Sequence, residues 1–211
     1  MVSRQITLGG GGTILAVSLV CVFLGWVVIP LFLPGSMQAA SEVDAAASGS
    51  LQVVRVGVDE YRNLGWLIRE DGRLTTYQIG TGQVLQQTEL LGGRRPVAWS
   101  FSSGEGIELA PAFADGTVQL GRLAFVTSFL ERPEVPESVR SLGAGEVRAF
   151  GDAVFELTPE GQYRRQQVLV RFEEPVAVGE GEPLALVDQA ISSRGSIFAA
   201  LGNSGELHVA Q

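Results

Sequence analysis

Four short turns, each ending in glycine, recur along the chain at nearly constant intervals. They are Glu70-Asp71-Gly72, Ala114-Asp115-Gly116, Pro159-Glu160-Gly161 and Asn203-Ser204-Gly205. Successive turn glycines are 44, 45 and 44 residues apart. Each turn lies between two strand-like segments, and glycine supplies the positive φ that a tight turn needs. The sequence therefore predicts four β-hairpins in equivalent places of a repeat.

A repeat of this length, with several strands in each copy, is typical of β-propeller blades. A single blade cannot bury both of its faces, so neighbouring copies must pack together. An antiparallel β-sandwich whose turns are evenly spaced by chance is the alternative. The agreement of three successive intervals favours the propeller. We expect a mainly β fold of antiparallel, propeller-like repeats over residues 51–211.

The fourth repeat has its turn at Gly205, and the sequence given ends at Gln211, within the following strand. An unpaired last strand leaves an open sheet edge, and propellers have about 4–8 blades. We therefore expect about four units, the last of them truncated, in an incomplete ring. The chain is then expected to be the N-terminal portion of a longer protein.

An apolar segment near the N-terminus predicts a transmembrane helix over residues 13–33. No charged residue occurs from Gln5 to Ser41. A helix of 21 residues would be about 32 Å long, which matches a bilayer core of about 30 Å. Arg4 precedes the segment and acidic residues follow it. We therefore expect residues 1–12 in the cytoplasm, a linker over residues 34–50 and residues 51–211 outside the membrane.

A cleavable signal peptide is the alternative interpretation of the same segment. Ala39-Ala40-Ser41 offers the small residues of a cleavage site. The apolar run is longer than the 7–15 residues of a usual signal core, and one arginine is a thin basic region. An uncleaved anchor in a plasma membrane is therefore the preferred prediction.

The composition excludes several classes of function. The net charge is −8, and all fifteen basic residues are arginine without forming basic clusters, which makes nucleic acid an unfavourable partner. Cys21 is the single cysteine and His208 the single histidine. An internal disulfide and clusters of several cysteine or histidine ligands are thereby excluded. We expect no metal and no cofactor.

A few residues are of types that could catalyse a reaction or bind an anion. His208 would have to serve any Ser-His-Asp triad, yet its place near the end of a strand favours an exposed strand residue. Glu173 and Glu174 are adjacent, so they favour a solvated edge before Pro175 over a catalytic pair. Arg164 and Arg165 could bind an anion, but a solvent-facing strand position is preferred. Trp66 and Trp99 are predicted to pack between sheets. We therefore expect no catalytic site, and the chain is not predicted to be an enzyme.

Several segments resemble one known family. They are VVIPLF (27–32), LIREDGRLTTYQIGTGQVL (67–85), FADGTVQLGRLAFVTSFL (113–130) and, less specifically, LTPEGQYRRQQVLV (157–170). The chain resembles the N-terminal part of permease subunits of phosphate-type ABC importers. The variety in question carries a large, WD40-like extracytoplasmic insert after the first membrane helix. The chain lacks any Trp-Asp dipeptide, and it has no second run of 18 apolar residues after Leu33.

Two hypotheses of function follow. The resemblance implies a membrane-anchored portion of a phosphate ABC permease, with the propeller as an interaction or regulatory surface. Its implied partners are the other permease subunit, the ATPase subunit, the periplasmic substrate-binding protein and membrane lipid. The alternative is a stand-alone, membrane-tethered propeller that scaffolds envelope assembly.

Overall fold

The computed structural model describes residues 16–29, 52–104, 106–178, 181–192 and 195–210. The chain divides into two compact parts, Met1–Glu42 and Val43–Gln211, and each is described by itself. The ends of the predicted membrane segment (13–15 and 30–33), the predicted cytoplasmic segment 1–12 and the predicted linker 34–50 lie outside the described residues.

The first part contains an α-helix over residues 16–29. Its large apolar side chains are exposed at nearly every successive position, and therefore on every face of the helix: Val17, Leu19, Val20, Val22, Phe23, Leu24, Trp26, Val27, Val28 and Ile29. Cys21 is exposed on the same helix. Among the described residues, no helix has both the length and the apolar character that crossing a membrane requires.

The second part is built of β-strands, which confirms the prediction of a mainly β, antiparallel fold. Repeat 1 contains β1 (Val53–Val58), β2 (Leu64–Arg69), β3 (Arg73–Gln78) and β4 (Val84–Glu89). Repeat 2 contains β5 (Pro96–Ser103), β6 (Ile107–Phe113), β7 (Thr117–Val118) and β8 (Gly121–Leu130). Repeat 3 contains β9 (Val147–Phe150), β10 (Ala153–Leu157), β11 (Tyr163–Phe172) and β12 (Val176–Ala177), after a short 3-10 helix at Arg132–Glu134. Repeat 4 contains β13 (Leu184–Ser192), β14 (Gly195–Gly202) and β15 (Leu207–Ala210).

The four predicted glycine turns have the same backbone geometry. The glycines at 72, 116, 161 and 205 have φ of 81°, 78°, 84° and 89°. Each glycine N–H donates to the carbonyl three residues earlier: Arg69, Phe113, Thr158 and Gly202. Each turn joins the second strand of its repeat to the third. The sequence prediction of equivalent hairpins is confirmed.

The strands form three antiparallel sheets. The first sheet has the order β1-β2-β3-β4, and the last sheet has the order β13-β14-β15. The central sheet has the order β12-β7-β6-β8-β11-β10-β9, with β5 paired to the other side of β6. The first and last sheets each contain one repeat, whereas the central sheet contains two.

Repeats 2 and 3 are joined through their longest strands, β8 and β11, which a row of separate blades would not show. Strand β8 pairs with β11 over ten residues, from Gly121 opposite Phe172 to Leu130 opposite Tyr163. One edge of each strand pairs within its own repeat, and the other edges of the two strands hydrogen-bond to each other. This pairing is a difference from the expected arrangement of four equivalent blades.

The central sheet is buried on both of its faces. One face packs against the first sheet in a cluster of Trp66, Ile68, Leu74, Leu109 and Leu123. The opposite face packs against the last sheet in a cluster of Ala110, Ala112, Val118, Leu184, Val187, Phe198 and Ala200. Leu109 contacts the first sheet and its neighbour Ala110 contacts the last sheet, because successive side chains of a strand point to opposite faces.

Candidate functional site

The outward face of the last sheet is apolar and exposed. On β14, Phe198 and Ala200 face the central sheet and are buried, so the alternate residues of this strand face away from it. The strand pairing places Leu207 and Val209 beside those outward residues. The exposed large side chains of the last sheet are Leu186, Ile197, Leu207 and Val209, with 62%, 39%, 64% and 66% of their surface accessible. We call these four residues the apolar face.

Strand β15 also has an open edge. The last sheet has three strands, and no strand among the described residues pairs with the outer side of β15. In the first sheet, the equivalent strand β3 is covered by β4. The four exposed side chains of the apolar face make repeat 4 a candidate interaction surface.

A cavity of about 460 Å³ lies where the last sheet approaches the central sheet. We call it the arginine cavity; its lining is Glu108, Leu120, Gly121, Arg122, Arg171, Phe172, Glu173 and Gln189. Arg122 lies directly opposite Glu108 on one side and Arg171 on the other. The Arg122 Nε donates to Glu108 Oε1 at 2.6 Å. Gln189 is only 9% exposed, and its Nε2 has no hydrogen-bond partner in the part of the chain that the structure describes. The predicted site residues included neither arginine, since the register that brings them together is set by the β8–β11 pairing.

Three side chains of repeat 4 come close enough to hold a cation. Ligand atoms of Glu182, Glu206 and His208 all lie within 4.8 Å of one another. Hydrogen bonds from the hydroxyl and the backbone N–H of Ser204 hold the pKa of Glu182 below its ordinary value. The His208 Nε2 is buried, and no described residue forms a hydrogen bond with it. His208 is thus half-buried opposite the inward-facing Ala200, which differs from the predicted exposed strand residue.

The preferred interpretation of Arg164 as a solvent-facing residue is wrong. Its side chain is only 14% exposed and forms an ion pair with Glu156. Its guanidinium also lies 3.6 Å from the centre of the Tyr61 ring. Arg164 is buried because the β1–β2 turn of repeat 1 packs over β10 and β11, a contact that no local pattern indicates. Arg165 is more exposed, and its Nη2 lies 3.6 Å from Asp152 Oδ1.

The same turn contains a buried carboxylate with all of its contacts satisfied. Asp59 is 2% exposed and accepts hydrogen bonds from the backbone N–H groups of Tyr61, Asn63 and Leu64. It also accepts one from Gln166 Nε2 on β11 at 2.6 Å. Its hydrogen bonds join repeat 1 to repeat 3, which indicates a structural role for Asp59.

The remaining candidates behave as predicted. Trp66 is fully buried, and its ring occupies the space that a side chain at Gly57 would need. Trp99 packs at the edge of the same cluster and stacks on Phe101. Glu173 and Glu174 are exposed just after β11 ends, as expected of a solvated edge.

The chain matches several solved structures at low similarity. No protein-family model matches the chain, and no curated protein matches it. The chain is mainly β, with antiparallel sheets, and its structural neighbours are WD40 and other β-propeller domains.

Three solved structures illustrate these likenesses. The WD40 domain of SCAP from fission yeast is 13% identical, with a TM-score of 0.34, and the match covers 74% of this chain and 28% of that one. The computationally designed Ika4 protein is 11% identical, with a TM-score of 0.33, and the match covers 82% of this chain and 98% of that one. BamB from Moraxella catarrhalis is 11% identical, with a TM-score of 0.24, and the match covers 73% of this chain and 42% of that one. All three TM-scores are below 0.5, so no residue role and no function is taken from these proteins.

Proposed function

We propose that this chain is the membrane-anchored N-terminal portion of a phosphate ABC transporter permease, with its β repeats outside the membrane as an interaction surface. The anchor is the segment 13–33, residues 1–12 are cytoplasmic, and the repeats form part of an incomplete propeller. The proposal assigns no catalytic step to the chain. ATP hydrolysis belongs to a separate ATPase subunit.

The observation that carries the anchor is the helix over residues 16–29. It contains no charged residue, and it exposes large apolar side chains on all sides. Such a helix has no polar face to present to water, and burial in lipid removes this apolar surface from water. The apolar sequence continues to residues 13 and 33, which supports a longer span than the described helix.

The observation that supports an interaction surface is the apolar face of the last sheet. Exposed apolar patches on soluble domains mark contact sites for other proteins. We propose that the substrate-binding protein of the importer docks on this face.

The anchor and its orientation are tested by single-cysteine labelling in intact cells. Cys21→Ala removes the native thiol, and Glu137→Cys or Ser3→Cys then introduces one thiol on either side of the predicted span. An impermeant maleimide is expected to label the 137 variant in intact cells and the 3 variant only after lysis. Recovery of the chain in the soluble fraction, or the opposite labelling pattern, contradicts the anchor as proposed.

The interaction surface is tested by charge substitutions on exposed apolar positions. Leu207→Asp with Val209→Asp is expected to reduce co-purification with the other importer subunits and to reduce phosphate uptake by cells. Val84→Asp is the matched control, because Val84 is also an exposed strand residue but lies in repeat 1. Unchanged uptake in a strain that lacks the protein contradicts the transporter role and favours the envelope scaffold.

A further inference from the structure

Three charged side chains form a row across the central sheet, on the face toward the last sheet. Glu108 on β6 lies opposite Arg122 on β8, and Arg122 lies opposite Arg171 on β11. Glu108 shares its face with Ala110, two residues further along β6, which packs against the last sheet. Directly opposed like charges destabilise a sheet. The Arg122–Arg171 pair is therefore unfavourable unless a negative charge lies beside it.

The row holds more positive than negative charge within the sheet itself. Glu108 is engaged by Arg122 at 2.6 Å. None of the ion pairs among the described residues includes Arg171. Glu173 also lines the cavity and carries a second negative charge. Arg122, Arg171 and Glu173 are all exposed, so water and salt weaken the interactions among these charges.

The last sheet adds an unused donor above this row. Gln189 on β13 lines the arginine cavity and is 9% exposed. Among the described residues, its buried Nε2 has no hydrogen-bond partner. A buried amide donor without a partner is unfavourable. An acceptor atom of a ligand in the cavity would satisfy it.

We propose that the arginine cavity binds a carboxylate group. The planar fork of Arg171 matches the two oxygens of a carboxylate, and the Gln189 amide supplies a further donor. Arg122 stays paired with Glu108, so the carboxylate is bound by the charge of Arg171. A phosphate dianion fits less well, because its second charge would face Glu108 and Glu173. The volume of about 460 Å³ suits a small molecule or the end of a peptide.

Calorimetric titration of the full chain in detergent tests this site. The probes are succinate, a tripeptide with a free C-terminal carboxylate, and the same tripeptide amidated. Binding of succinate or of the free tripeptide, but not of the amidated one, is expected, and the two carboxylates separate a free metabolite from a peptide end. Arg171→Gln is expected to weaken binding at least tenfold, or about 1.4 kcal/mol. Arg171→Lys, which keeps the charge but loses the fork, is expected to weaken it about threefold.

Two further variants keep the test decisive. Glu173→Gln removes a negative charge at an exposed position, and carboxylate binding is expected to tighten. Arg95→Gln changes an exposed arginine outside the cavity, and its affinity is expected to stay within about twofold of the original. No binding of either carboxylate up to about 10 mM, tighter binding of inorganic phosphate than of succinate, or equal affinity of Arg171→Gln and the unaltered chain overturns the proposal. If Arg171→Gln does not fold, unchanged affinity in Glu173→Gln overturns it.

Carboxylate binding here requires neither membrane attachment nor transport. A soluble chain that binds succinate would contradict the anchor and leave the cavity site intact. A membrane-embedded chain that binds no carboxylate would support the anchor and contradict the cavity site.

Discussion

The two faces of the central sheet are packed in different ways. Toward the first sheet, the contact is made by large side chains around Trp66, and the buried carboxylate of Asp59 has all of its hydrogen bonds. Toward the last sheet, five of the contributing side chains are alanines: Ala98, Ala110, Ala112, Ala200 and Ala210. The arginine cavity and the unpartnered Gln189 lie on this second side.

This difference shows how two copies of one repeat can serve different purposes. Hairpins with the same turn geometry build both outer sheets, so the backbone alone does not determine their roles. Large, interlocked side chains make the first contact a stabilising one. Small side chains and the arginine cavity leave the second contact open to a ligand or partner. The following predictions test that division.

The largest effect is expected from Trp66→Ala. The Trp66 side chain is fully buried, with 0% of its surface accessible to water. Its loss therefore leaves a large cavity between the first and central sheets. The free energy of unfolding is expected to fall by about 4 kcal/mol. Phe198→Ala on the opposite side is expected to lower it by about 3 kcal/mol, because smaller neighbours surround it. Urea unfolding measures both, and a larger loss for Phe198→Ala would reverse the comparison.

A somewhat smaller effect is expected from Asp59→Ala. The substitution leaves three backbone N–H groups and the Gln166 amide without their acceptor. Unsatisfied buried donors are unfavourable, so the free energy of unfolding is expected to fall by about 3 kcal/mol. Asp152→Ala is the control, since that carboxylate is 55% exposed, and it is expected to change stability by less than about 0.5 kcal/mol. Equal effects in the two variants would remove Asp59 as the link between repeats 1 and 3.

The close contact with the last sheet is tested by Ala110→Leu. Ala110 has no accessible surface, so a larger side chain must push the two sheets apart or leave its preferred rotamer. Such overpacking is expected to lower the free energy of unfolding by about 2 kcal/mol. The exposed Ala177→Leu is the control, and thermal unfolding of both variants measures the difference. A neutral Ala110→Leu would mean that the second face is loose throughout rather than only at the cavity.

The sequence predicts the repeat well because turns are local. Gly72, Gly116, Gly161 and Gly205 each occupy a positive-φ position, and that requirement can be recognised from glycine and its immediate neighbours. The buried tryptophan of repeat 1 also follows from its strand, where every residue is buried.

The candidate sites could not be predicted in the same way, because they depend on distant pairing. Arg122 and Arg171 meet through the register of β8 with β11, which joins two repeats that the period presents as separate. Arg164 is buried by Tyr61, more than a hundred residues earlier. Such contacts are set by the packing of whole sheets, and spacing along the chain carries no signal of them.

The smallest effect is expected from the pH dependence of the contact between Glu182 and Ser204 in the last sheet. Glu182 accepts hydrogen bonds from the Ser204 hydroxyl and backbone N–H, and these bonds hold its pKa below the ordinary value of 4.5. A carboxyl group whose pKa is lower in the folded chain stabilises the fold above its unfolded pKa, and this contribution is lost as the pH falls through the folded value. The Ser204 amide proton shift is therefore expected to titrate with a midpoint below 4.5, which NMR measures. Glu182→Gln is expected to abolish the transition, because the amide does not ionise. A midpoint above 4.5 would mean that the turn of the last sheet is not held by this carboxylate.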